Sequence, residues 1–319
     1  MKKLILLSVC CFLASIAFSQ YKLDAGVSIG ASNYLGEIGG KEKTRRGFIL
    51  DMKLSQTKSA IGGFVRYKVH PDILVKGNLG WYRISGADKF STNPGRVGRN
   101  LSFRNDIFEA SVTGQYIFYD VADLGRTYRY KNDFKAYAFV GAAGAYHNPK
   151  ALYNGSWEAL QPLHTEGEGL VKGAPKPYSR VIFAVPAGAG FFFTFNKKYR
   201  IGWEFNWRTT FSDYLDDVST VYADPNILES DEARDLANRN DELVYSDNPT
   251  LPDPKNYYPH SENGEMKYPK RGDPKHNDSY LSTTINASIL LKGHSKFAAA
   301  KYKSFFGKKY KGRTIRAKF

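Results

Sequence analysis

Along most of this chain apolar and polar residues take turns one by one, a period of two that predicts strands and not helices. Eight segments carry it. Tyr21 to Ile29 is apolar at every odd position, with Asp24 on the other face. Ile61 to Val69 sets Arg66 and Lys68 opposite its apolar positions, and Ile73 to Ile84 sets Lys76 and Asn78 opposite Val75, Leu79 and Trp81. In the fourth segment the register changes: Phe108, Ala110, Val112, Tyr116 and Phe118 face one way, and Glu109, Ser111, Thr113 and Gln115 the other. The fifth, Ala136 to Tyr146, is small and apolar on both faces, so its orientation stays open. The sixth, Val181 to Phe195, alternates apolar with small residues, and its Pro186 predicts a bulge or kink. The seventh opposes Ile201, Trp203, Phe205, Trp207 and Phe211 to Glu204, Asn206 and Arg208; the eighth runs from Leu281 to Leu291.

The connections alternate in length. Val69–Ile73 and Asn196–Tyr199 are tight, and Tyr119–Phe134 is intermediate. Ala31–Ala60, Ser85–Arg104, His147–Ser179 and Asp213–Ser279 are long. Short turns at one end and long loops at the other predict an all-β fold: an eight-stranded antiparallel transmembrane β-barrel, short turns periplasmic and long loops extracellular. In lipid every backbone N–H and C=O needs an internal partner, so the sheet must close on itself. A barrel of this size has room inside only for side chains. Asp24, Arg66, Lys68, Glu109, Glu204 and Arg208 are the predicted polar lumen, with charges of both signs available to pair. Trp81, Trp203, Trp207, Tyr21, Tyr67 and Tyr116 are candidates for the interfacial aromatic girdles. A soluble β-sandwich also alternates, but its outer faces should be polar.

The ends of the chain add to this picture. Lys2 and Lys3 precede a short apolar run, and Ala17-Phe18-Ser19 offers small residues at a cleavage site, so residues 1–19 read as a Sec signal peptide. An N-terminal anchor helix would need a longer apolar run. Both cysteines, Cys10 and Cys11, fall inside this segment; Val9 before Cys10 argues against a lipoprotein site. The mature chain then has no disulfide or thiolate metal site. No other segment reaches the roughly 20 apolar residues of a transmembrane helix. The formal charge of +15 is concentrated in residues 292–319, which carry ten Lys or Arg and no acid. The expected organisation is therefore a signal (1–19), a barrel (20–291) and a basic, aromatic periplasmic tail (292–319), exported to the outer membrane of a Gram-negative cell. Export and the localised charge argue against a nucleic-acid partner; outer-membrane lipid is the expected surrounding.

Signals for chemistry are weak. Six histidines show no metal-ligand spacing. Gly26-Val27-Ser28-Ile29-Gly30 matches G-x-S-x-G, but that motif works on a strand-to-helix turn, whereas Ser28 lies inside an alternating strand. Asp213, Asp216, Asp217 and Asp224 could share a Ca²⁺ through oxygen ligands or bond loop backbone. No cofactor, metal or catalytic residue is expected. In the longest loop, Asn226 with Glu229 resembles a capping box for a helix over about Ile227–Asn238, and the prolines beyond it argue against regular structure. In the tail, Lys301, Lys303, Phe305, Phe306, Lys308, Lys309, Tyr310, Arg313 and Arg316 mix cations with aromatic anchors. They suit anionic lipid or an acidic periplasmic protein.

Four loop stretches carry a family likeness. GASNYLGEIGG (Gly30–Gly40), NPKALYNGSWEALQPLHTEGEG (Asn148–Gly169), FSDYLDDVSTVYADP (Phe211–Pro225) and RGDP (Arg271–Pro274) resemble PorG-type barrels of the type IX secretion system. The resemblance implies a non-enzymatic outer-membrane component that tethers a periplasmic ring of PorK/PorN type, supporting protein secretion and, in gliding cells, adhesin export. It implies no catalytic residues. The competing expectations are a small barrel that modifies lipid, which needs a nucleophile and base at its outer rim, and one whose long loops bind ligands or adhere.

Overall fold

The computed structural model describes residues 23–39, 54–121, 132–171, 174–245 and 250–291. Its strands are β1 (Leu23–Leu35), β2 (Lys58–His70), β3 (Ile73–Ala87), β4 (Ser102–Val121), β5 (Asn132–Tyr146), β6 (Pro149–Tyr153), β7 (Ser156–Ala159), β8 (Val181–Phe195), β9 (Tyr199–Thr210), β10 (His260–Glu262), β11 (Glu265–Lys267) and β12 (Ser279–Leu291). Eight of these form a ring in which every pairing is antiparallel: β1-β2-β3-β4-β5-β8-β9-β12 and back to β1. Closure through β1 and β12, from Leu23 opposite Leu291 to Leu35 opposite Ser279, leaves no free edge in the ring. The chain is a closed eight-stranded antiparallel β-barrel, and a two-sheet sandwich does not describe it. No helix among the described residues is long and apolar enough to cross a membrane; the strands are what can cross it.

The two faces of the wall are inverted relative to a protein dissolved in water. Ile29, Leu79, Val112, Val140, Phe183 and Ile285 point outward and are more than half exposed, whereas Asp24, Arg66, Glu109 and Arg208 are almost fully buried inside. Such an exterior is stable only against an apolar medium. Pairing also settles the orientation of β5. Its odd positions, Tyr137, Phe139, Ala143 and Ala145, are buried in the barrel, while Ala138, Val140 and Tyr146 face out.

Several boundaries differ from the sequence expectation. β1, β3 and β4 run past Ile29, Ile84 and Phe108 on the loop side, because polar residues there still find ladder partners. Pro186 causes no bulge. The β5–β8 register is the same on both sides of it, and pairing is only interrupted between Val140–Ala187 and Ala143–Ala184, where the missing N–H would have donated. The register shifts instead at Lys68/His70 and Ile117/Tyr119. The predicted helix is shorter, Asp231–Ala237, and Ser230, not Asn226, caps it by accepting from Ala233 N at 3.1 Å. Asp224 instead caps the preceding 3-10 turn at Pro225–Ile227. The proline-rich region also holds a hairpin, β10–β11, turning on Asn263 and Gly264 with positive φ; β6–β7 turns the same way on Asn154 and Gly155. The expected signal peptide (1–19), Tyr21 and the whole expected tail from 292 lie outside the described residues.

Candidate functional site: a filled lumen under a loop crown

Strand β9 sends a charge inward every fourth residue, and each meets an opposite charge from a different part of the wall. Arg200 pairs with Asp24 of β1, Glu204 with Lys76 of β3, and Arg208 with Glu109 of β4. β3 lies directly across the ring from β9, so the Lys76–Glu204 contact, Nζ 2.8 and 2.9 Å from the two carboxylate oxygens, spans the lumen. Tyr137 donates to Glu204 at 2.8 Å, Tyr280 donates to Glu109 at 2.7 Å, and Arg208 donates to Ser282 at 2.8 Å. Arg66 lies over the rings of Phe64, Tyr137 and Phe192. Lys68 is half-buried near the short-turn end. A buried ion pair is sustained only when its remaining polar atoms are also bonded, and the tyrosines and Ser282 provide much of that. The lumen is packed, a polar column that gives way toward the short turns to a buried apolar cluster of Leu74, Ile117, Tyr137, Phe139 and Phe192.

Above the column the described parts of the long loops fold into a crown. An apolar layer including Tyr34, Ile84, Phe103, Ile107, Leu215 and Leu236 separates column from crown. Two buried arginines then tie the loops together. Arg99 forms a fork to Asp88 at 2.7 and 3.0 Å, and also donates to the carbonyls of Arg271 and Glu37. Arg271 donates to Glu166 at 3.0 Å and to the carbonyls of Asp217 and Ala237. Glu166 in turn accepts from Ser219 N, Thr220 N and the Thr220 hydroxyl.

The four stretches that carry the family likeness meet here. Tyr34 of the first has its hydroxyl 2.7 Å from Asp216 and 2.6 Å from Asp278. Thr165 of the second donates to Asp217 of the third, at 2.5 Å. Arg271 of the fourth joins the second and third. A hydroxyl has one proton to give, so two carboxyls cannot both accept from Tyr34; burial, with Asp216 nearby, pushes the Asp278 carboxyl well up, and its own proton completes the second bond.

The aspartates of the third stretch do not gather round one point. Asp216 accepts from Ile38 N and Val218 N, Asp217 accepts from Thr165 and Tyr178, and Asp224 caps a turn elsewhere. No group of three or more His, Cys, Asp or Glu among the described residues is placed to hold a metal ion. Burial raises Asp213 to about 9 and Glu37 to about 8, and it lowers His147 to about 4, leaving that ring neutral. Ser28 is buried on the lumen side of β1, opposite Asn286 and Gly62, without the strand-to-helix turn a nucleophile elbow requires.

Most girdle candidates split between the two ends, while Trp203 sits mid-wall, opposite Ile285 in the middle of β12. Tyr67 and Tyr116 lie toward the short turns, as do Phe118, Tyr119, Phe191, Phe193 and Phe195, which the sequence reading did not single out; Trp81 and Trp207 lie toward the loops. Trp81 donates to Asp106 at 3.1 Å, its ring outward and its N–H in the polar rim. Arg200, Tyr137, Arg99 and Arg271 were also missed as interior or crown residues.

No family model and no curated protein matches this chain. Among solved structures it is similar to the Neisserial surface protein A, at 6% identity over 85% of this chain and 97% of that one, TM-score 0.37. It is also similar to Ail, the attachment invasion locus protein of Yersinia pestis, at 11% identity over 84% and 97%, TM-score 0.33. The N-terminal β-barrel domain of Pseudomonas aeruginosa OprF is similar at 9% identity over 82% and 96%, TM-score 0.28. The barrel itself rests on the chain's own strand pairing, which gives it the fold of an outer-membrane β-barrel.

Proposed function

We propose that this chain is a non-enzymatic outer-membrane barrel of the type IX protein secretion machinery, and of gliding where cells glide, holding a periplasmic ring of PorK/PorN type to the membrane. The observation that carries the reading is where the chain leaves the barrel. β12 ends at Leu291 on the same side as the tight turns after β2 and β8, opposite the crown. With the tight turns periplasmic, the ten cations of residues 292–319 start from the face where a ring would sit. A packed lumen fits an anchor better than a conduit. The likeness of the loops to PorG-type barrels supports the secretion setting.

The proposed contact residues are Lys301, Lys303, Phe305, Phe306, Lys308, Lys309, Tyr310, Arg313 and Arg316. Deleting residues 296–319 should leave the barrel inserted and remove ring proteins from crosslinked, affinity-purified material of intact cells. Unchanged co-purification would exclude the tail as the tether. A ligand-binding barrel is the second reading, favoured by a cavity in the crown.

A further inference from the structure

Between the loop after β1, the short helix Pro94–Arg99 and the long β9–β12 loop lies a cavity of about 430 Å³, within the usual size range of small-molecule sites. Its wall includes Glu37, Arg96, Tyr222, Pro252, Tyr257 and Lys270. Most of the charge around it is already committed. Arg99 and Arg271 are held by the crown network described above, and Lys270 pairs with Asp273 at 3.3 Å. Three buried polar atoms on the wall are not committed: Arg96 Nη1, Glu37 Oε2 and the Tyr222 hydroxyl have no hydrogen-bond partner. Tyr222 is only 2% exposed, so bulk water does not compensate it. A buried polar group left unbonded is destabilising, so each of these three gains from a partner that reaches it.

We propose that this cavity binds a small hydroxylated molecule carrying one oxyanion, of the sugar-acid or sugar-phosphate class, with Arg96 as its charge partner. Arg96 has no ion pair among the described residues. A guanidinium is the side chain best shaped for a carboxylate or phosphate. The Tyr222 hydroxyl can donate as well. Glu37, raised to about 8 by burial, keeps its proton at neutral pH and is a third donor. Three donors and one fixed positive charge select an anionic acceptor and disfavour a metal cation. Tyr222 and Tyr257 pack edge to face at 6.2 Å and back the wall, and half-buried Pro252 is apolar surface open to a sugar ring. Gly272 packs tightly behind this wall, where a Cβ would come within 2.6 Å of Glu37 Oε2 and of the Ser219 backbone. The cavity is at the opposite end of the barrel from Leu291, after which residues 292–319 begin, so its test is independent of the tether.

The test is calorimetric titration of the full mature chain in detergent with glucuronate and with glucose 6-phosphate, and with glucose as the neutral control. Saturable binding of at least one anion is expected, with glucose at least about tenfold weaker. Arg96→Gln should weaken the anion about tenfold, and Tyr222→Phe by a smaller factor. Heat-modifiable gel migration checks that each variant still forms the barrel. If Arg96→Gln does not, Tyr222→Phe, which deletes one oxygen, decides. No saturation by either anion, equal binding of glucose, or unchanged affinity in every folded variant would overturn the proposal.

Discussion

The Lys76–Glu204 pair shows what individual residues contribute to the interior. Both side chains are almost fully buried, and they bridge the lumen. Glu204→Leu alone strands the Lys76 ammonium and the Tyr137 hydroxyl, and should destabilise the folded barrel by about 3–5 kcal/mol. Lys76→Met with Glu204→Leu should recover much of that loss, because both charges leave together. Urea titration in detergent, followed by Trp fluorescence, measures both. That Asp24, Arg66, Glu109, Glu204 and Arg208 share the polar faces of their strands is visible in the alternation. Their partners are not, because a contact across the lumen depends on how far each strand is staggered against the next. Arg200 escaped notice because it precedes the first apolar residue of its segment. The spacing of Arg200, Glu204 and Arg208 on one face of β9 was the available clue.

Among the elements, the crown has the least regular geometry and the most unusual electrostatics. Asp213 faces Ser219, Glu37, Asp216 and Glu166, and burial holds its carboxyl up at about 9; Glu37 is held at about 8. A carboxyl raised by folding binds its proton more tightly in the folded state than in the unfolded one. Its contribution is present at low pH and is lost as pH rises towards the folded value. Between pH 6 and pH 9.5 the crown should therefore loosen while the barrel wall stays formed. Hydrogen exchange, corrected for its intrinsic pH dependence, should show protection falling in residues 211–225 and 271–278 and holding in β9 and β12. Equal protection at both pH values would contradict this. Little of the crown was legible beforehand. The hairpin at Asn154-Gly155 was not read from the sequence, although that dipeptide suits a two-residue turn with positive φ and was the clue to it. The network joining Tyr34, Arg99, Glu166, Asp217 and Arg271 connects residues far apart in sequence, and alternation says nothing about loops.

For the whole molecule, the account rests on which medium touches the outside of the wall. Leu79 is 70% exposed. In water, Leu79→Arg would be nearly neutral. Facing a bilayer, it should cost about 2–4 kcal/mol of folding stability near the midplane, readable from unfolding in phospholipid vesicles. The closed topology was legible because most of the eight strands alternate and so do the loop lengths, apart from the intermediate Tyr119–Phe134 connection; β5, with alanine and glycine on both faces, needed its neighbours to orient it. The most direct measurement is fractionation of cells expressing the native chain, with a urea and carbonate wash of the membranes. The account predicts that the mature chain stays in the outer-membrane fraction and migrates faster on a gel when unheated than when boiled. A chain that instead runs as a monomer in detergent-free buffer, with no such shift, would contradict it.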